Sequence, residues 1–228
     1  MWEAYKKGFK AWLRLEKSLS EHSVEAYLGD LDKLTQYLQM ADAAISPSSV
    51  TIKHLQSFIA WIHQLGITAS SQARVISGIR SFYKYCIIEN IIETDPTQLL
   101  EAPKRSRKLP DTLSIGEIEK IISCIDLSTA EGIRNKAILE TLYSCGLRVS
   151  EAVGLKISNL YTELGFVRVT GKGDKERLIP IGETALKHIG IYRTTVRMQV
   201  PHIAGQEDIL FLNRRGTGLS RVMIFLLI

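Results

Sequence analysis

The sequence predicts a mainly α-helical chain of two domains: a four-helix N-terminal domain, then a mixed α and β C-terminal one. Three observations carry this prediction. Apolar residues recur at three- and four-residue steps through the first hundred positions. A run of cations bracketed by prolines interrupts the chain near residue 105. Two alternating segments then flank a glycine-rich hexapeptide near residue 173.

In chain order, an opening helix is expected over about residues 3 to 17. Ser20 can cap a second helix that carries Val24, Tyr27, Leu28, Leu31, Leu34 and Leu38 on one face. A third runs from about Thr51 to Leu65, with Phe58, Ile59 and Ile62 inward and Gly66 placed to end it. A fourth starts near Ser70 or Ser71 and buries Val75, Ile76, Ile79, Phe82, Tyr83 and Cys86. Residues 1–102 form this helical domain, and residues 103–110 read as a linker containing Lys104, Arg105, Arg107 and Lys108. Its charges have two readings, a solvated tether or a strap across a phosphate backbone.

Residues 111–228 form the second domain. Ser114 with Glu117 is a capping box opening a short helix, and a longer helix from about Ala130 to Cys145 ends at Gly146. Phe166 to Thr170 and Arg177 to Ile181 alternate with period two around Gly171-Lys172-Gly173-Asp174-Lys175-Glu176, a β-hairpin with a cationic tip. A helix is expected over about Glu183 to Met198, and Ile209 to Leu212 reads as a short strand.

Composition narrows the function classes. With 45% hydrophobic and 23% charged residues over 228 positions, the chain has the make-up of a folded globular protein rather than a disordered or fibrous one. The net charge of +5 favours a polyanionic partner without establishing one, and it is shared between the halves rather than concentrated. Cys86, Cys124 and Cys145 lie far apart, without C-x-x-C or zinc-ligand spacing, so buried reduced thiols and no metal or other cofactor are expected. The charged, aromatic N-terminus is no signal peptide and no apolar run reaches membrane-span length, which places the expected location in the cytoplasm, without membrane insertion.

Two segments bear chemistry. Ser144-Cys145-Gly146-Leu147-Arg148-Val149-Ser150-Glu151 sets an arginine between a helix end and the next helix start. Alone, such an arginine is more often a surface residue or a C-cap partner than a catalytic group. The hairpin tip places Lys172 between glycines but fits neither the P-loop nor the dinucleotide-binding pattern.

Taken together, the order of helical domain, basic linker, Gly-Leu-Arg-Val-Ser-Glu and Gly-Lys-Gly-Asp-Lys-Glu-Arg resembles the tyrosine recombinase (phage integrase) family, and within it the Xer branch. The likeness extends through Ser20 to Tyr27, Ser77 to Tyr83 and Asp126 to Arg134, nearly the whole chain. It implies a SAM-like core-binding domain and an α+β catalytic domain that clamp duplex DNA. The implied reaction cuts and rejoins DNA through a 3′-phosphotyrosyl intermediate, with neither metal nor ATP. Arg148 would then stabilise the attacked phosphate and Lys172 would act as general acid. Glu151, three residues after Arg148, either orients the guanidinium or is an ordinary exposed helix glutamate. Arg74, Arg80, Lys84, Lys104, Arg105, Lys175 and Arg177 are the candidate DNA contacts. Implied partners of the full-length protein are related protomers, four on two duplexes, with a septal DNA translocase as a further candidate; the implied task is chromosome dimer resolution. A mobile-element integrase and a non-catalytic DNA-binding fragment are the alternative readings.

The resemblance also implies parts expected beyond residue 228: a His-x-x-Arg pair, a later His or Trp, and the nucleophilic Tyr. The last tyrosine, Tyr192, sits inside a predicted helix and reads as core packing. After Ser220, a plausible N-cap, the chain runs apolar from Val222 to Ile228. The catalytic domain is therefore expected to be incomplete, inactive in cleavage by itself and monomeric or abnormally associated, with an active parent.

Overall fold

A computed structural model describes residues 2–41, 45–104, 109–171, 173, 175–227. The chain divides into two compact units, Met1–Leu109 and Pro110–Ile228.

The first unit contains four α-helices among its described residues, α1 (Trp2–Leu15), α2 (Glu21–Ala41), α3 (Ile52–Gln64) and α4 (Ala69–Ile88). Val24, Leu31, Leu34 and Leu38 form the buried stripe of α2, at the spacing that lines one helical face. They meet Phe9 and Leu13 of α1, Leu55, Phe58 and Ile62 of α3, and the long buried face of α4 from Val75 to Cys86. Phe9 and Phe82 pack edge to face with ring centres 5.4 Å apart, the arrangement the ring quadrupoles favour. Thr51 caps α3, and its own N–H donates to His54 Nδ1 at 3.1 Å. Gly66 follows at φ 77°, a left-handed conformation that costs glycine little. The fourth helix begins slightly earlier than expected because Thr68, rather than a serine, accepts the capping bond from Ser71 N–H. Beyond α4 the chain is tied down by Arg80, which donates to the Leu100 carbonyl, and by Asp95, which accepts from Thr97 N–H and hydroxyl at 2.7 Å each.

The second unit combines α5 (Ile115–Ser123), α6 (Ala130–Cys145), α7 (Val149–Val153), β1 (Leu160–Tyr161), β2 (Phe166–Thr170), β3 (Glu176–Pro180), α8 (Glu183–Thr195) and α9 (Arg221–Phe225). The strands form one antiparallel sheet in the order β1-β2-β3, with Val167 opposite Ile179 and Thr170 opposite Glu176. Val167 and Val169 turn into a core shared with Ile138, Ile189, Leu210 and Phe211. The capping box of α5 forms, Ser114 N–H donating to Glu117 at 2.8 Å. Gly146 ends α6 at φ 57°.

Three expectations are corrected, and one strand is new. Residues 209–212 are not a strand. Ile209 and Leu212 each make an isolated bridge, to Lys156 and Gly218 respectively, so no ladder develops. The helix from Glu183 stops at Thr195, and Arg197–Gln199 form a separate 3-10 turn. Arg197 fixes that turn by donating to the carbonyls of Glu207, Ile209 and Leu210. Cys124 is exposed, unlike buried Cys86 and Cys145. Strand β1 was not anticipated; two residues are too few to show an alternating pattern. No described helix is long and apolar enough to cross a membrane.

Candidate active site

The left-handed turn at Gly146 reverses the chain after α6, and Leu147 is buried two residues before α7 begins. That anchors Arg148 as the N-cap of α7, with its side chain 71% exposed. Glu151, at the third position of the helix, folds back on the cap, and one carboxylate oxygen accepts from Arg148 N–H at 2.8 Å. The other accepts from Arg148 Nη1 at 3.0 Å. The carboxylate of a short helix's first turn is thus placed where the backbone N–H groups lack helical partners.

A second arginine arrives from the sheet. Arg177 of β3 donates from Nη1 to Glu151 Oε1 and from Nη2 to Oε2, each at 2.9 Å, a bidentate fork across 26 residues of sequence. Glu151 therefore accepts four hydrogen bonds while its side chain is only 4% exposed. The reading of Glu151 as an ordinary exposed glutamate is overturned. The Arg177 fork, together with the bonds from Arg148, holds its carboxyl well below the usual range, at about 2, although burial acts in the opposite direction. Two guanidinium groups on one carboxylate leave the cluster with a net positive charge, and Arg148 carries that charge to the solvent face.

The hairpin base lies against the same cluster. Gly171 N–H donates to the Lys175 carbonyl at 2.8 Å, closing the loop. A Cβ on Gly171 would stand 3.0 Å from Arg177 Nη1 and 3.6 Å from Glu151 Oε1, so glycine is what allows the backbone this close. Lys172, the expected general acid, lies outside the described residues, as does Arg105. Lys175 is exposed beside the loop.

The remaining candidates lie in the first unit. Arg74 grips the buried Asp30 carboxylate with two bonds of 2.7 and 2.6 Å, and Arg80 is bound to the Leu100 carbonyl. Lys84 and Lys104 are exposed. Tyr192 is fully buried against Phe211, and its hydroxyl oxygen accepts from Leu212 N–H at 3.0 Å. Burial pushes its pKa up, the opposite of what a nucleophile needs. Sequence reasoning missed the Arg177–Glu151 pair. The available signal was the arginine's place two residues beyond Lys175, on the strand that pairs with β2.

Comparison with known proteins matches residues 112–227 to the phage integrase family and residues 7–90 to the phage integrase N-terminal SAM-like domain. A tyrosine recombinase XerD of Listeria monocytogenes serotype 4b (strain F2365) is 37% identical over 213 residues, covering 93% of this chain and 72% of the relative. Tyrosine recombinase XerD of Staphylococcus aureus (strain N315) is 39% identical over 218 residues, covering 95% and 73%. Among solved structures, a lambda integrase dimer bound to a core site aligns with TM-score 0.72 and 15% identity, over 97% of this chain and 76% of that one. The Tn1549 transposon integrase in complex with circular intermediate DNA aligns with TM-score 0.74 and 17% identity, over 98% and 76%. These likenesses support the fold, and the two family matches with the XerD relatives establish the lineage: this chain belongs to the phage integrase family, the tyrosine recombinases.

Proposed function

We propose that this chain supplies the DNA grip and the phosphate-activating groups of a site-specific recombinase that cuts and rejoins DNA through a 3′-phosphotyrosyl intermediate. The observation that carries this reading is Arg148, exposed yet held through its backbone N–H and Nη1 by a buried carboxylate that a second arginine also engages. In the first step a tyrosine oxygen attacks the scissile phosphorus, the tyrosine loses its proton, and the 5′-oxygen leaves. In the second, a 5′-hydroxyl of another strand attacks the phosphotyrosine and the tyrosine departs. Each step exchanges one phosphodiester for another, so no external energy source is consumed.

The phosphoryl oxygens gain negative charge as the nucleophile adds, and a fixed cation aimed at them stabilises the transition state more than the ground state. Arg148 fills that role with the part of its guanidinium that Glu151 does not engage. The departing 5′-oxygen has the basicity of an alcohol and needs a proton, which Lys172 delivers. Tyr192 is not the attacking tyrosine, because it is buried with its hydroxyl already bonded. Lys84, Lys104, Arg105 and Lys175 contact the DNA backbone, joined by the outer faces of Arg74 and Arg80. The partners are duplex DNA and related protomers, and the XerD relatives support chromosome dimer resolution as the task.

The test is covalent adduct formation by the full-length protein on a nicked duplex that traps the first step. Arg148→Ala and Lys172→Ala should each lower the adduct rate by roughly 100- to 1000-fold, with binding little changed. Wild-type adduct rates in both variants would overturn the assignment, and binding without any adduct in the unmutated protein would favour a non-catalytic DNA-binding role.

A further inference from the structure

We infer that Arg177 is a charge-balancing positioning residue for Arg148 rather than a DNA contact, an inference that rests on the phosphate-activating role of Arg148. Glu151 is buried and lies within 3.0 Å of Arg148 Nη1. A lone buried carboxylate at that distance would draw the Arg148 guanidinium into a two-point fork and cancel its charge, since attraction is poorly screened away from water. Arg177 already occupies both oxygens of Glu151, at 2.9 Å each. Its fork leaves Arg148 a single side-chain bond to Oε1, enough to orient the guanidinium without closing it. The pair of arginines and one carboxylate keeps one positive charge at the site, carried by the more exposed partner: Arg148 is 71% exposed and Arg177 39%.

The surroundings of Arg177 fit this role. Its Nη1 stands 3.0 Å from the Cβ position of Gly171, so the backbone of the hairpin base packs close against the guanidinium. Arg177 sits opposite Val169, whose side chain is in the core, so the register of the sheet sets where the guanidinium reaches α7.

The experiment uses the full-length protein in single-turnover adduct formation at saturating DNA. It compares an ordinary scissile phosphate with a methylphosphonate, whose attacked centre develops one less negative charge. Arg177→Gln is expected to slow adduct formation on the phosphate by roughly 10- to 100-fold, the usual loss when a group supporting an active residue is removed. The deficit should shrink on the methylphosphonate. Adding Glu151→Gln to Arg177→Gln should restore part of the rate on the phosphate, because the carboxylate that captures Arg148 is then neutral. Arg177→Lys, which keeps the charge but not the fork, should stay within about tenfold of the unmutated protein.

An equal deficit on both substrates, a further loss in the double variant, or a fall in Arg177→Lys as deep as in Arg177→Gln would each overturn the inference. Weakened DNA binding with an unchanged saturated rate would overturn it too, in favour of a DNA contact. Arg148→Ala on the same two substrates separates the layers. If Arg148→Ala shows no dependence on phosphate charge, the underlying reading fails; if it does and Arg177→Gln does not, only this inference fails.

Discussion

Among the described residues each unit buries one carboxylate under arginine, and the two are used differently. In the first unit Asp30, with its side chain 2% exposed, bridges two long helices. Arg74 of α4 closes a complete fork on it and Lys33 stands 3.4 Å away. In the second unit Glu151 is nearly as buried but sits in the first turn of a five-residue helix, where it shares its oxygens between a sheet arginine and a cap arginine. The Asp30 fork joins two helices. The Glu151 cluster leaves one cation facing outward with charge to give. Burial of the acid is common to both; what separates a packing contact from a chemical site is whether one paired cation keeps an unengaged side.

The sharpest way to break this contrast is to remove the cation on each side. Arg148→Ala should lower adduct formation by the roughly 100- to 1000-fold already stated and leave the melting temperature nearly unchanged, since its side chain is mostly in solvent. Arg74→Ala should do the reverse, destabilising the first unit by about 1–3 kcal/mol. A buried acid that loses its partner costs about 3–5 kcal/mol, reduced here because Arg74 is half exposed and Lys33 remains nearby. Thermal unfolding and adduct kinetics on both variants read the two axes separately.

The glycines against each cluster give the next comparison. A Cβ on Gly78 would meet Asp30 Oδ2 at 2.8 Å and Asp30 Cβ at 2.9 Å, inside a packed helix pair with no room to yield. Gly78→Ala should therefore cost about 1–3 kcal/mol of stability, seen as a lower denaturation midpoint. Gly171→Ala presses on the far end of a guanidinium, which can move, so it should disturb the adduct rate more than the midpoint.

The acid dependence of the difference between the unmutated protein and Glu151→Gln isolates the Glu151 cluster. Its carboxyl is lowered from 4.5 to about 2 in the folded protein, so its stabilising contribution is complete above about pH 4.5 and is lost as pH falls through about 2. The stability gap between the unmutated protein and Glu151→Gln should be flat above that window and narrow within it. The smallest effects belong to the exposed lysines. Lys84→Ala, Lys104→Ala and Lys175→Ala should each weaken DNA binding modestly and reduce the slope of log affinity against log salt by about 1.

Much of the fold was legible because it rests on local signals. Ser114 with Glu117, Thr51 before an apolar stripe, and Gly146 after one each mark a helix end through bonds made within a few residues. The errors lie where structure depends on distant partners. Residues 209–212 have the composition of a strand, but Leu210 N–H donates to Leu155 across 55 positions and no ladder follows. Half of the site was legible: Arg148 and Glu151 lie one helical turn apart. The other half was not, because Arg177 reaches Glu151 through a sheet register that no periodicity encodes. Exposed and paired arginines also look alike in a sequence. Asp30 falls among the buried residues of α2 with Leu31 and Leu34, where a carboxylate needs a bound cation.

The most direct test of the central claim is a structure of the full-length protein on duplex DNA with the scissile phosphate in place. The expected result is Arg148 within about 2.7–3.1 Å of the non-bridging oxygens, with Arg177 still holding both oxygens of Glu151. A phosphate bound elsewhere, with Arg148 folded entirely onto Glu151, would contradict it.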